Sequence, residues 1–293
     1  MAKLYDLVFV GNYTKDTIVS KAGSRNVHGG AVNYGAQVAA RLGFTAAVVT
    51  RLAKEDSEVV DILEKAGVDV YPEYVPKSTT VILEYPTGNV DHRIIHLKGY
   101  AGSITVEQVE GVQGKIFAIG PSIRGEVPLE VIQAIKEKGA KLSLDVQGYI
   151  RVVEDGILVN RSWPEMGAYL ALVDVLKTDA VEAAGLTGEE DIHKAAAILH
   201  EYGPQEVVLT HRDGILVYDG RTYYEQKFYP EELVGRSGRG DTVIATYMAF
   251  RETHSPAEAL IWAAAATSRK LEVEGPFRGN RADVEQLIAA KYS

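Results

Sequence analysis

The chain has 293 residues, 46% of them hydrophobic, no cysteine, and a formal charge of −9. That length and apolar content allow one large α/β domain with a full core. The missing cysteine excludes disulfides, thiolate catalysis and zinc–thiolate centres, and the negative charge argues against nucleic acid or an anionic membrane as partner.

No apolar run approaches the ~18 residues of a membrane span. The start, Met1-Ala2-Lys3-Leu4-Tyr5-Asp6, lacks the basic, apolar and small-residue segments of a signal peptide, so a cytoplasmic protein is expected. In chain order, Leu4 to Val10 is a near-continuous apolar run stopped by Gly11, the pattern of a buried strand. Asp16 to Val19 and Val27-His28 have the flavour of a hairpin, and Gly29-Gly30 leads into a small-residue helix ending Arg41-Leu42-Gly43. A strand at 46–50 and an amphipathic helix at 57–66 follow. Thr79 to Tyr85 and His92 to Leu97, joined by Pro86-Thr87-Gly88-Asn89, read as a second hairpin. Strands and helices then alternate: strand 116–119, helix 129–138, strands 142–145 and 173–177, helix 192–202, strand 207–210, and closing helices at 242–252 and 257–269.

Such alternation predicts a parallel sheet with helices on both faces. The β-rich segments 12–29 and 78–98 do not fit that sheet and are expected to form a small lid on a single domain spanning 1–293. Ligands of open α/β sheets bind at the carboxyl ends of strands. The residues to inspect are therefore Asn12 and Asp16, Asp145, Gln147 and Arg151, Lys177, Asp179 and Glu182, and Thr210, Arg212 and Asp213. Each alone is also an ordinary turn former or helix cap.

The stretch Gly235-Arg236-Ser237-Gly238-Arg239-Gly240-Asp241 runs into an apolar helix. Glycines at a helix start let backbone amides converge on an anion. A carboxylate there repels a phosphate, and is useful if it takes a proton from an attacking hydroxyl. The plainer alternative is an N-capping Asp. Arg239-Gly240-Asp241 also spells an adhesion tripeptide, but its context inside a helix start argues against that role. His92 and His96 share a strand face without a third ligand, which suits a lid surface better than a metal site. Gly11-Asn12-Tyr13 does not supply the Gly-x-Gly-x-x-Gly of a dinucleotide fold.

This C-terminal stretch resembles the Asp-Thr-x-Gly-Ala-Gly-Asp motif of the ribokinase-like, or PfkB-type, sugar and nucleoside kinases, and the likeness covers essentially the whole chain. The resemblance implies an α/β fold, a parallel sheet with helices on both faces and a small β-sheet lid. It implies Asp241 as catalytic base, with the amides from Gly238 through Arg239 and Gly240 to Asp241 as the anion hole. Gly29, Gly30 and Asp16 match the family's acceptor-binding residues. Asp179-Ala180-Val181-Glu182 matches its Asn-x-x-Glu motif, with Glu182 linked to magnesium. Thr210 and Gly214, with Lys177, Asp179 and Arg212, fall on the nucleotide side, so ATP and Mg2+ are the expected cofactors. The chain departs from the family at Gly235-Arg236, where Asp-Thr is usual, at Arg239, where a small residue is usual, and at Asp179. Tyr34 stands where the family carries a sugar-binding Asn.

Val10-Gly11-Asn12-Tyr13, Tyr34, and Asp145-Val146-Gln147 with Ile150-Arg151 are similar to the myo-inositol kinases of the family. Asn12, Asp16, Gln147 and Arg151 offer paired donors and acceptors for several hydroxyls. The expectation is phosphoryl transfer from ATP to a polyol, myo-inositol first, by a monomer or a homodimer formed through the lid. The alternatives are a sugar or nucleoside kinase, with Tyr13 and Tyr34 stacking a base, or a catalytically weak ligand-binding protein on the same fold.

Overall fold

The computed structural model describes residues 3–21, 23–87 and 93–292. Strands are numbered along the chain. The larger sheet holds β1 (Leu4–Val10), β4 (Ala46–Ala53), β5 (Val68–Val75), β8 (Gln113–Ile119), β9 (Lys141–Asp145), β12 (Val175–Asp179), β13 (Glu206–Thr210), β14 (Gly214–Tyr218) and β15 (Tyr223–Lys227). Its order is β15-β14-β13-β12-β9-β8-β1-β4-β5. All neighbours from β13 to β5 run parallel, and β14 and β15 add an antiparallel edge.

The apolar runs become strands buried on both faces. In β1, Leu7 and Phe9 enter one core while Val8 and Val10 enter the other, as period-two alternation requires. The first core lies under helices Ala31–Arg41, Glu58–Lys65, Arg239–Arg251, Pro256–Leu271 and Arg281–Lys291; the second lies under Leu129–Glu137, Met166–Leu170 and Ile192–His200. Helix Arg239–Arg251 is buried on every side from Thr242 to Phe250. It is a core helix whose charged residues stand at its two ends, Arg239 and Asp241 at the start and Arg251 at the finish. No described helix is long and apolar enough to cross a membrane.

The smaller sheet is the lid, ordered β10-β11-β7-β6-β2-β3. It contains β2 (Thr14–Ser20), β3 (Gly23–Gly29), β6 (Thr79–Glu84), β7 (Ile94–Gly99), β10 (Arg151–Glu154) and β11 (Ile157–Asn160). Both expected hairpins are present, β2 with β3 and β6 with β7. The lid is wider than the two segments expected, because β10 and β11 add a third hairpin. Its signal was in the sequence: Asp155 (φ 50°) and Gly156 (φ 76°) both take positive φ, the requirement of a two-residue turn of the Asp-Gly kind. The closing helix Arg281–Lys291 was also not anticipated, although Asn280 and Asp283 form a reciprocal cap at its start. His92 lies outside the described residues. His96 pairs with Glu84 across the lid hairpin at 2.9 Å, and among the described residues no cluster of His, Asp and Glu suits a metal.

Helix Ala31–Arg41 starts beside the lid and rests on β1 at Gly35. A Cβ at Gly35 would lie 2.6 Å from Phe9 Cε1 and 3.5 Å from Ala245 Cβ. Gly35→Ala should therefore lower stability by about 1–3 kcal/mol through overpacking, despite the ~1 kcal/mol of helix propensity that alanine adds. Chemical denaturation would show a lower midpoint at unchanged slope. Adding Phe9→Leu should recover part of the loss by removing ring atoms from the contact.

Candidate active site

The carboxyl ends of the parallel strands and the lid enclose a cleft of about 1020 Å³. The start of helix Arg239–Arg251 forms its floor. Gly238 holds φ 76°, a left-handed turn that favours glycine, and a Cβ there would strike the Tyr34 ring. The Arg239 amide turns back to Arg236 O (3.2 Å) and the Thr242 amide donates to Gly238 O (2.9 Å). The amides of Gly240 and Asp241 have no partner among the described residues. Partnerless first-turn amides with the positive end of the helix dipole make an anion site. Of the expected hole from Gly238 to Asp241, only the Arg239 amide is already engaged by another backbone carbonyl among the described residues. Asp241 is the third residue of the helix, and Gly238 is the cap, so the capping alternative for Asp241 fails. Burial pushes the Asp241 carboxyl up to about 6. The Asp145 charge adds to this, and Lys177, Arg151 and Lys270 oppose it.

Beneath the floor lies a set of buried charges. Parallel register places Lys177 of β12 beside Asp145 of β9. Lys177 Nζ lies 2.9 Å from Asp145 Oδ2 and 3.9 Å from Glu182 Oε2. Burial alone would lower the lysine pKa, but Asp145, Glu182 and Asp179 outweigh it and hold it above its usual value. Gly240 passes so close that a Cβ would lie 2.7 Å from Lys177 Nζ. Asp179 and Glu182 form a reciprocal cap on helix Ala180–Thr187: Glu182 N donates to Asp179 Oδ1 and Asp179 N to Glu182 Oε2, both at 2.8 Å. Burial raises the Glu182 carboxyl to about 7, with Lys177 opposing.

On the lid side, Asp16 sits in β2 rather than in a turn. A Cβ at Gly29 would strike Asp16 Oδ2 and Thr14 Oγ1. Gly30, at φ 90°, lies against Asn12 O and Thr14 N, at 2.8 and 3.2 Å from a built Cβ. Both glycines let β3 close down over the Asp16 carboxylate. Burial pushes Asp16 up to about 6; a hydrogen bond from Thr14 and the charges of Arg93 and Arg151 pull it back, and Asp241 pushes further. Asp16 Oδ1 is buried without a hydrogen-bond partner, and so is Asn12 Oδ1. Asn12 lies deeper than expected, fully buried, its Nδ2 donating to Gly102 O at 2.8 Å and its backbone N–H to Glu126 Oε1 at 2.6 Å. Tyr34 and Gln147 line the cleft. Arg151 opens β10, and burial lowers its guanidinium to about 10.

On the other side, Thr210, Arg212, Arg236 and Arg239 line the cleft. Thr210 is buried and its Oγ1 donates to Thr178 O at 3.4 Å. Gly214 is not among the lining residues. It packs where a Cβ would strike Gln226 O, so its glycine serves the β14–β15 edge. Sequence reasoning passed over three residues here. Asp145 was noted at a strand end, but not as the partner of Lys177. Arg93 lines the cleft and acts on Asp16. Lys270 is fully buried in the last turn of helix Pro256–Leu271. One exposed ion pair, Arg25 to Glu274 at 2.7 Å, joins the lid to the body across the mouth.

A half-buried carboxylate beside vacant amides, under a lid and flanked by basic residues, has the chemistry to accept a proton from a hydroxyl while an anionic group is held. A cytidine kinase from Thermococcus kodakarensis is 27% identical over 266 residues, covering 87% of this chain and 91% of that protein. The sulfate complex of a pyrophosphate-dependent kinase in the ribokinase family superposes with a TM-score of 0.89 at 33% identity, covering 95% of this chain and 99% of the other. A pyrophosphate-dependent myo-inositol-1 kinase, converted by two substitutions into a myo-inositol-3 kinase, superposes with a TM-score of 0.89 at 32% identity over 98% of this chain and all of the other. A sequence model of the pfkB family of carbohydrate kinases matches residues 4–275, and the chain belongs to that family of phosphotransferases.

Proposed function

We propose that the chain transfers a phosphoryl group from pyrophosphate to a ring hydroxyl of a cyclic polyol, myo-inositol first, with Asp241 as general base. The observation that carries the reading is Asp241 itself, half-buried in the first helical turn at the cleft floor beside the unpartnered amides of Gly240 and Asp241. As the acceptor oxygen attacks phosphorus, Asp241 takes its proton. The bond from phosphorus to the departing phosphate breaks, and the two amides receive the transferring oxygens.

The acceptor is read from what the lid lacks. Asp16 Oδ1 is a buried acceptor without a donor, and leaving such an atom unpaired costs about 1–3 kcal/mol. A polyol brings hydroxyl donors, and Gln147 and Arg151 stand at the neighbouring strand end. The myo-inositol kinase likeness supports the same substrate.

The donor is read from charge. Pyrophosphate has no base or ribose through which to bind, so its affinity depends on cations. The cleft is lined by Arg212, Arg236 and Arg239, two of them at positions where the sequence departs from the usual family motif. ATP, the donor expected from that motif, is the competing arm. Asp179 and Glu182 fit a magnesium ion held mainly by donor phosphates and water, because the cap engages only one oxygen of each carboxylate. Such an ion would neutralise charge on the phosphates. A nucleoside acceptor is the second reading, favoured by the Tyr34 ring lining the cleft and by the cytidine kinase relative.

Three outcomes test this. Asp241→Asn should reduce turnover by about 10²–10⁴ while pyrophosphate binding and the melting temperature persist. Measured as kcat/KM with pyrophosphate and with ATP, across myo-inositol, ribose, fructose and cytidine, the native chain should prefer pyrophosphate and myo-inositol. A tenfold preference for cytidine would move the assignment to nucleosides.

The second outcome concerns pH. Asp16 and Asp241 both titrate near 6 and both act ionised, so activity is present above that pH and is lost as pH falls through it. The acid limb of log kcat/KM should approach a slope of two, and Asp16→Asn should reduce it to one. Third, Arg239→Ala should lower turnover with pyrophosphate more than it weakens the acceptor. Unchanged kinetics would leave the anion site to the backbone alone.

A further inference from the structure

Lys270 is fully buried, yet no ion pair to a carboxylate is formed by its ammonium among the described residues. A basic residue in the last turn of a helix ordinarily reaches its own terminal carbonyls or water. Lys270 ties a carbonyl just past its own helix end to one on another segment. Its Nζ donates to Gly235 O at 3.0 Å and to Val273 O at 3.4 Å. The Tyr34 ring lies on a further side, its centroid 5.9 Å away.

The two loops that supply these carbonyls are pressed together. Val234 N and Gly235 N both donate to Leu271 O, at 2.9 and 3.1 Å. A Cβ at Gly235 would lie 2.5 Å from Val273 O and 3.1 Å from Glu274 Cα, which explains a glycine at the first position of the stretch. Convergent carbonyl oxygens repel one another, and what relieves them is a cation, as in sites that bind potassium through backbone carbonyls. An ammonium does the same with directed N–H bonds. Burying it is costly, and a methionine would fill the same space without that cost. The charge therefore has a use at this place. Burial lowers the ammonium to about 8, while Asp241 and Glu274 hold it up, so it stays charged at neutral pH.

We propose that Lys270 is a positioning residue that serves as a tethered monovalent cation: bound to Gly235 O and Val273 O, it fixes the loop 235–238 and thereby the Gly238 turn from which the receiving amides project. The inference rests on the kinase reading of that helix start, and not on the identity of the acceptor. Its consequence is that the enzyme carries its own cation and is indifferent to the salt around it.

The test is monovalent-cation dependence at constant ionic strength, in choline, sodium, potassium and ammonium chlorides. Turnover and calorimetric binding of pyrophosphate are both read. The native chain should give the same values in all four salts. Lys270→Met, which keeps the stem and removes the charge, should lose about tenfold to hundredfold in turnover in choline, the scale of losing charge-assisted hydrogen bonds. Potassium or ammonium should restore most of it. If the Met variant does not fold, Lys270→Gln, whose amide still donates, is expected to show the same salt dependence. Full turnover of the variant in choline, a folded variant that neither potassium nor ammonium revives, or a potassium requirement in the native chain would each overturn the proposal. Pyrophosphate binding needs no acceptor, so a wrong acceptor leaves this readout intact. A native chain that binds ATP and not pyrophosphate would be run with ATP; that result corrects the donor, and the same salt series with ATP then decides the role of Lys270.

Discussion

The site depends on one buried ion pair, Lys177 with Asp145. Three carboxyls, the buried Asp145 and Glu182 and the half-buried Asp241, gather near the carboxyl ends of β9 and β12, and without a counterion they would repel one another or take up protons. Lys177 stands between Asp145 and Glu182 and under Gly240. Removing one member of such a pair costs about 3–5 kcal/mol, because the other is left buried and uncompensated. The same charge keeps Asp241 ionisable near neutral pH. Stability of this part of the sheet and ionisation of the proposed base thus share one residue.

Two buried lysines bracket the helix start in different ways. Lys177 neutralises carboxylates below it, while Lys270 binds carbonyls beside it. The helix between them presents its amino-terminal end to the cleft, while Tyr247 and Arg251 near its other end are taken up by Glu206. A fixed helix dipole of this kind acts without reorganising during the reaction, which is how preorganised sites gain over water.

Much of this was legible in the sequence, for physical reasons that differ by residue. The parallel sheet followed from apolar runs that alternate with helical patterns. Gly238, Gly240 and Asp241 stood out because glycines and an acid rarely open a core helix without a use. Asp16 was visible as a polar residue after the first strand and the Gly29-Gly30 pair through the family resemblance; the close approach of Gly29 to the Asp16 carboxylate emerges only in the fold. Pairing across strands was not legible: Lys177 and Asp145 are distant in sequence and meet only through register. Lys270 looked like any basic residue compensating a helix dipole, and its burial depends on loops that fold over it. Asn12 was recognised as polar after a strand, but not as a residue tied to Gly102 and Glu126. The β10–β11 hairpin was overlooked although Asp155-Gly156 announces it.

The lid is made from three separate stretches of chain, each of which leaves the larger sheet and returns to it. β2 follows β1 within a few residues, and β10 follows the β9 end through Gln147 and Arg151. Its parallel pairing, β2 with β6, joins segments far apart in sequence. Such a patchwork cannot be exchanged as a module. Nor can it assemble before the larger sheet has brought its pieces together, since non-local pairing must first meet the entropy of loop closure. Change of acceptor in this architecture is therefore confined to side-chain replacement on a retained lid, residue by residue.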